Sequence, residues 1–400
     1  MTSLLSPPSS ISPPRYFSNS TTRVILVRHG RTTYNQQGRY QGSSDESTLT
    51  EQGHQDAYNT GIALRQYDFE AIYTSPLSRV KQTTQEITSA LNCPDVPVYI
   101  EPRLTEVCMS DWQGLLYQEV KEQYPDDYQC WQQTPHLFTR NQINYPVLDL
   151  FEQAKLFWSS VLNKHRGQTI LIVAHGGTNR ALIGTAIALS PHHYHSLQQC
   201  NCGISCLEFS DNNNLAQLKY LNLTNHLLKP LPKLKAGKQG WRWLLLSNNI
   251  AQDQLSNSGL LKVLNQGLIN LVLTDGCPKS SAIADKLLVD NKQILSFSID
   301  SDIFIDSWQK TIARRQKKQS GSQSQGTKLI TSLIIASDQL ISNILHQSID
   351  IKSALNLTNN LAVIHYPQLE KRSILQGLLP LTLNLPNHLA SVPELEVVER

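Results

Sequence analysis

The chain has 400 residues, with 35 lysines and arginines against 32 aspartates and glutamates, a formal charge of +3, and 40% hydrophobic residues. That length exceeds one ordinary compact domain and predicts two or three, while the near-balance of charge excludes a strongly basic polyanion binder and a charged disordered chain. Seven cysteines, an odd number scattered through a long chain, make no disulfide framework, and no run reaches the roughly 18 apolar residues of a membrane span. Reduced thiols, no membrane association and no nucleic-acid partner are therefore expected.

Residues 1–21 open as a Ser/Pro-rich, acid-free stretch without apolar period, which predicts a disordered arm. Its single Arg15 and short reach disfavour an organelle transit peptide, so a cytoplasmic location is expected. The apolar run 23–27 reads as a buried strand ending in a loop at Gly30. A helix is predicted over 49–65, a strand over 71–73 and a helix over 79–91. Residues 117–131 read as one helix, 148–163 as an amphipathic helix, and 169–173 as a strand stopped by His175-Gly176-Gly177. A helix over 179–189 and a strand over 203–209 follow. This alternation predicts an α/β layer sandwich with a mostly parallel sheet over residues 22–226, and ligands on such sheets sit at the carboxyl ends of the strands.

Residues 227–240 hold two prolines, two glycines and four lysines, the composition of an exposed linker whose Lys229, Lys233, Lys235 and Lys238 face solvent. Beyond it the pattern restarts. The run 243–249 stands where 24–30 stood, 255–259 echoes 49–53, 270–274 echoes 70–74, and 333–337 echoes 171–175 with a helix behind it at 339–345. Residues 241–400 thus read as a degenerate duplication, with a polar, disordered insertion at 314–326.

The chemistry concentrates in the first copy. Arg28-His29-Gly30 follows one buried strand, Ser75-Pro76-Leu77-Ser78-Arg79 the next, Glu106 a third segment, and His175-Gly176 the last strand. Two arginines and one histidine can neutralise three phosphoryl oxygens while the other histidine attacks phosphorus, so the set suits phosphoryl transfer without a metal or cofactor. The attacking His29 must be neutral, with its far ring nitrogen donating to a carbonyl so that the lone pair faces phosphorus. Glu106 can protonate the departing oxygen and then take a proton from water, with Glu101 and Asp111 as competing acids nearby. The run Pro191-His192-His193-Tyr194-His195 with Cys200, Cys202 and Cys206 lacks the spacing of a zinc site, and no metal is expected there.

Over residues 22–210 these motifs, with Thr32, Asn35, and the 49–53 run Leu-Thr-Glu-Gln-Gly, resemble the histidine phosphatase superfamily, also called phosphoglycerate mutase-like. The resemblance implies a three-layer α/β/α sandwich, His29 as the phosphorylated nucleophile, Glu106 as proton donor, and Arg28, Arg79 and His175 as the phosphate pocket, assisted by Asn35 and Thr32. Within the superfamily the segments 38–45, 112–116 and 201–205 look most like the 2-carboxy-D-arabinitol-1-phosphatase-like proteins of plants and cyanobacteria. Mutases of this superfamily resemble one another in an arginine pair just after a lid tryptophan, whereas here Trp131 precedes Gln132 and Gln133. Two neutral amides cannot replace two guanidinium groups against a doubly charged ligand. The expected activity is hydrolysis of a small phosphorylated sugar acid or sugar, ahead of a 2,3-bisphosphoglycerate-dependent phosphoglycerate mutase. Ser247-Asn248 and Ser337 replace the two histidine motifs in the second copy, with Lys279 about where Arg79 stood, so that copy is expected to be catalytically silent. A homodimer is a further expectation.

Overall fold

A computed structural model describes residues 21–381 apart from 92, 140–142, 211–214, 251–267, 308–309, 311–328, 352–354, 356, 358 and 368–371. The expected arm, the echo at 255–259 and the insertion at 314–326 lie outside the described residues. The first half supplies strands β1 (Thr22–Arg28), β2 (Ala71–Thr74), β3 (Val98–Ile100), β4 (Thr169–Ala174), β5 (Ile204–Phe209) and β6 (Ala216–Leu223). The second half supplies β7 (Trp241–Ser247), β8 (Leu271–Thr274), β9 (Leu295–Ser298), β10 (Ile330–Ala336), β11 (Asn360–Tyr366) and β12 (Ile374–Pro380). All twelve join one sheet in the order β3-β2-β4-β1-β5-β6-β12-β11-β7-β10-β8-β9.

That order is one pattern written twice, outward from the β6–β12 junction. In the first half β1, β4, β2 and β3 run parallel while β5 and β6 add antiparallel. In the second, β7, β10, β8 and β9 run parallel while β11 and β12 add antiparallel. Backbone bonds at the strand ends repeat as well: His29 N–H donates to the Ala174 carbonyl at 2.9 Å and Asn248 N–H to the Ala336 carbonyl at 2.8 Å. Glu101 N–H to the Thr74 carbonyl has its counterpart in Ile299 N–H to the Thr274 carbonyl.

Nine helices among the described residues matter below: α1 (Thr33–Gln37), α2 (Glu51–Leu64), α3 (Ser78–Leu91), α4 (Tyr117–Gln123), α5 (Pro125–Gln133), α6 (Pro146–Lys164), α7 (Gly176–Ala186), α8 (Pro278–Leu288) and α9 (Asp338–Ile349). Side chains alternate across a strand, and β1 uses both faces. Val24 and Leu26 pack with α6 and α7, whereas Ile25 and Val27 pack with α2 and α3. The second half repeats this, with Leu244 and Leu246 facing α8 and Trp243 and Leu245 facing α9. The α6/α7 and α9 faces belong to one continuous apolar core, so the halves share an interior across the β6–β12 junction.

Three expectations change. The helix predicted over 117–131 is two helices, because Pro125 at the first position of α5 has no N–H to continue α4 and restricts Tyr124 before it. Helix α7 starts three residues early, with His175 as its N-cap and both glycines inside it. Residues 227–240 contain no strand and almost no helix, yet Leu231 and Pro232 are buried, so the segment is packed rather than a free tether. No helix among the described residues is long and apolar enough to cross a membrane.

Candidate active site

Strand register brings the two histidines together. In the β1–β4 ladder Arg28 pairs with Ala174, so the next residues, His29 and His175, emerge side by side at the carboxyl edge, with ring centroids 5.4 Å apart. Strand β2 ends at Thr74, level with Val173, and the Oγ of the next residue, Ser75, lies 2.7 Å from His175 Nε2. Asp45 accepts from the N–H and hydroxyl of Ser78 at the start of α3, which sets the entry of that helix and with it Arg79. The loop at Gly30 lies so close to α2 that a Cβ there would sit 2.5 Å from the Gly53 carbonyl oxygen. A Cβ on Gly53 would in turn meet the Arg31 carbonyl oxygen at 2.1 Å, so neither position admits a side chain.

His29 is buried, and its Nδ1 lies 2.8 Å from the Gly30 carbonyl oxygen. A carbonyl only accepts, so Nδ1 carries the proton and Nε2 keeps its lone pair. Burial, and then the charges of Arg28 and Arg79, hold the His29 imidazolium well below the ordinary histidine range, so the ring is neutral near pH 7. Burial, followed by Arg79, does the same to His175, whose Nδ1 has no hydrogen-bond partner among the described residues. Asn201, read from the sequence only as part of the 201–205 segment, donates from Nδ2 toward the carbonyls of His29 and Gly30 at 3.0 and 3.1 Å and toward Asn35 Oδ1 at 2.9 Å, clamping the loop that carries His29.

Both arginines are oriented by neutral oxygens. Arg79 is completely buried and donates to the carbonyls of Ser44 and Gly42 at 2.6 and 2.7 Å; Arg28 donates to the Gln199 carbonyl at 2.9 Å. Neither Nε has a hydrogen-bond partner among the described residues. Burial brings the Arg79 guanidinium down to about 10, still charged at neutral pH. The arrangement is a desolvated cation pair that forms no ion pair among the described residues, a setting that suits an anion.

Glu106 is fixed by main chain. Its carboxylate accepts from Val107 N–H at 2.9 Å and from Gly177 and Thr178 N–H, the first turn of α7, at 3.0 and 3.2 Å. It thus caps the helix that begins beside His175. Gly177 is obligatory for this: a Cβ there would stand 2.3 Å from both Glu106 Oε1 and the Tyr194 hydroxyl.

Arg28, His29, Asn35, Arg79 and Glu106 line one cleft of about 390 Å³ with Gly176 and Gly177, while His175 lies completely buried behind them against Ser75. Thr32 is not on that wall. It is completely buried, its hydroxyl accepts from Asn35 N–H as the N-cap of α1 and donates to Gln41, and it acts on Asn35 rather than on a ligand. The cleft also holds Arg39, Arg180, Lys235 and Arg372, none of which was singled out for the site. Lys229, Lys233, Lys235 and Lys238 are all exposed, as expected of that segment, yet the Lys235 ammonium reaches the rim of the cleft and donates to the Gln199 carbonyl. His195 lies on the same wall with Nε2 2.9 Å from the Trp131 carbonyl oxygen, and Cys202 and Cys206 are buried apolar-like residues.

The sequence profile of the histidine phosphatase superfamily (branch 1) matches residues 24–223. The chain is 38% identical over 190 residues to a probable 2-carboxy-D-arabinitol-1-phosphatase of Arabidopsis thaliana, covering 48% of this chain and 38% of that protein. It is 39% identical over 188 residues to the 2-carboxy-D-arabinitol-1-phosphatase of Triticum aestivum, covering 47% of this chain and 37% of that one. The match thus spans less than two fifths of these plant relatives. Phosphoserine phosphatase 1 of Hydrogenobacter thermophilus is 31% identical over 205 residues, 51% of this chain and 94% of that protein. Among solved structures, Bacillus stearothermophilus YhfR is 29% identical, covering 49% of this chain and 95% of its own, with a TM-score of 0.46. The matched stretch runs from β1 to the end of β6 and takes in Arg28, His29, Asn35, Arg79, Glu106 and His175, leaving only Lys235, Ala236, Arg372 and Ile374 of the cleft outside it, so the chain belongs to the histidine phosphatase superfamily, branch 1.

Proposed function

We propose that the protein is a phosphomonoesterase that hydrolyses a small phosphorylated sugar acid or sugar through a covalent phospho-His29 intermediate. The observation that carries the reading is the tautomer of His29: with Nδ1–H spent on the Gly30 carbonyl, Nε2 is the nucleophilic atom, beside the charges of Arg28 and Arg79. The Nε2 lone pair attacks phosphorus, the bond to the leaving oxygen breaks, and Glu106 supplies the proton that oxygen needs. Arg28, Arg79 and His175 hold the transferring group, with Asn35 beside them. In the second step a water gives its proton to Glu106 and attacks phosphorus. The N–P bond breaks, and inorganic phosphate leaves with His29 neutral again.

Hydrolysis requires water at Glu106. The residue lines both the cleft and a second cavity of about 410 Å³ on its other side, bordered by Arg103, Cys108 and Asp149, which supports a solvent route to the acid. Residues 241–400 do no chemistry of their own in this reading, since a phosphohistidine cannot form at Asn248 or Ser337.

The test against the mutase alternative is a product count. Incubated with 3-phosphoglycerate, the protein should release free phosphate with no more than traces of 2-phosphoglycerate. Isomerisation outrunning phosphate release would replace the phosphatase reading with the mutase.

A further inference from the structure

We infer that the second half of the chain completes the substrate cleft, and that Lys235 together with Arg372 recognises a second anionic group of the substrate, a carboxylate or a further phosphate. The inference rests on the phosphomonoesterase reading above and deepens it.

The charge count of the cleft exceeds what one phosphoryl group requires. Six cations line or border it (Arg28, Arg39, Arg79, Arg180, Lys235 and Arg372) against the single carboxylate of Glu106, which three backbone N–H groups already hold. Arg28 and Arg79 with His175 suffice for three phosphoryl oxygens. Of the others, Arg39 donates to the Gly114 carbonyl and Arg180 to the Leu197 carbonyl. Among the described residues none of Arg28, Arg39, Arg79, Arg180 and Lys235 forms an ion pair, so their anchors orient positive charge without cancelling it.

Lys235 adjoins Arg28. Its ammonium and the Arg28 guanidinium donate to the same acceptor, the Gln199 carbonyl oxygen. Two nitrogens sharing one acceptor lie within about 6 Å of each other, twice a hydrogen-bond length. Lys235 is exposed along its stem, while desolvation around its ammonium, and next the neighbouring Arg28 charge, pull that ammonium well below the ordinary lysine value. A bound anion offsets both penalties. The second anionic group therefore lies near the first, as on a three- to six-carbon metabolite.

Arg372 enters from the far side of the sheet junction. It precedes β12 and donates to the Gln132 carbonyl and, at 2.9 Å, to Gln132 Oε1. This places a guanidinium from the second half against the lid residue after Trp131, where the first half itself carries only amides. Buried hydrogen bonds hold that wall in place: Gln198 N–H donates to the Leu375 carbonyl at 3.0 Å, and Asn222 Nδ2 to the Gln376 carbonyl at 2.7 Å.

The experiment uses the full chain and matched substrates: 3-phosphoglycerate against glycerol 3-phosphate, which differ by a carboxylate, and fructose 1,6-bisphosphate against fructose 6-phosphate. In the wild-type protein kcat/KM should favour the member with the second anion in at least one pair, and that pair identifies the group. Lys235→Met and Arg372→Gln should each lower that preference tenfold or more, mainly through KM, while Lys235→Arg keeps it within about threefold. Equal losses on both members of a pair, or an unchanged preference, overturn the inference. Should the neutral variants fail to fold, a wild-type preference near one in both pairs overturns it and a preference retained by Lys235→Arg supports it. A wild-type protein that hydrolyses both members equally leaves the phosphatase reading standing, whereas release of phosphate from no monoester overturns that reading and this inference together.

Discussion

The carboxyl edges of the two half-sheets share a backbone and differ in what they can hold. At the first, Arg28 and His29 end β1 and His175 ends β4; at the second, the same register positions carry Ser247, Asn248 and Ser337. The differences extend to charge. Asp275, after β8, accepts from Ser337 N–H at 2.8 Å, and Lys279, second residue of α8 as Arg79 is of α3, donates to Asn249, which in turn donates to Asp338. Two carboxylates thus stand where the first half gathers cations, so an incoming phosphate would meet repulsion. Helix capping diverges in parallel: Ser337 caps α9 with its own hydroxyl, whereas α7 leaves its first turn to Glu106 from a distant loop. One fold therefore serves as a site or as a self-satisfied wall according to whether the strand-end donors are left open.

The comparison can be broken by moving the first half toward the second. Arg79→Gln, which removes a buried charge but keeps an amide, should lower kcat/KM by about 10²- to 10³-fold, measured as phosphate release on the best substrate. A loss under tenfold would mean that Arg79 holds the 42–44 loop and not the phosphoryl group. Gly177→Ala tests the borrowed cap. The added methyl displaces Glu106 from the start of α7, and a misplacement of that kind should reduce kcat by roughly 10²-fold with KM less affected. The position equivalent to Gly177 in α9 is Gln339, in a first turn that Ser337 caps with its own hydroxyl.

Much of the first half was legible in the sequence. Strand-end motifs can be read because His29, Arg28, Arg79 and His175 each sit within a few residues of an apolar run that must be a strand, and register does the rest. The second half's strands β7, β8 and β10 were legible by the same echo, although β9, β11 and β12 were not: β9 is exposed, and β11 and β12 follow no motif. Thr32 was placed one step too near the ligand, since a hydroxyl beside the nucleophile loop and a hydroxyl capping the next helix look alike in sequence. Lys235 and Arg372 were hidden for a different reason. A lysine among prolines and glycines reads as exposed, which Lys235 is, and only the fold shows that its segment borders the first half's cleft. Arg180 carried a weak signal, being on the cleft side of the helix that starts at His175.

The account turns on chemistry confined to His29. Its most direct test is to mix the protein with a ³²P-labelled phosphomonoester, quench in base, which preserves phosphohistidine, and map the label. The expected result is label in the peptide that contains His29, with both label and turnover gone in His29→Asn, the residue the second half carries at that position. Turnover retained by His29→Asn, or label on a peptide from residues 241–400, would contradict it.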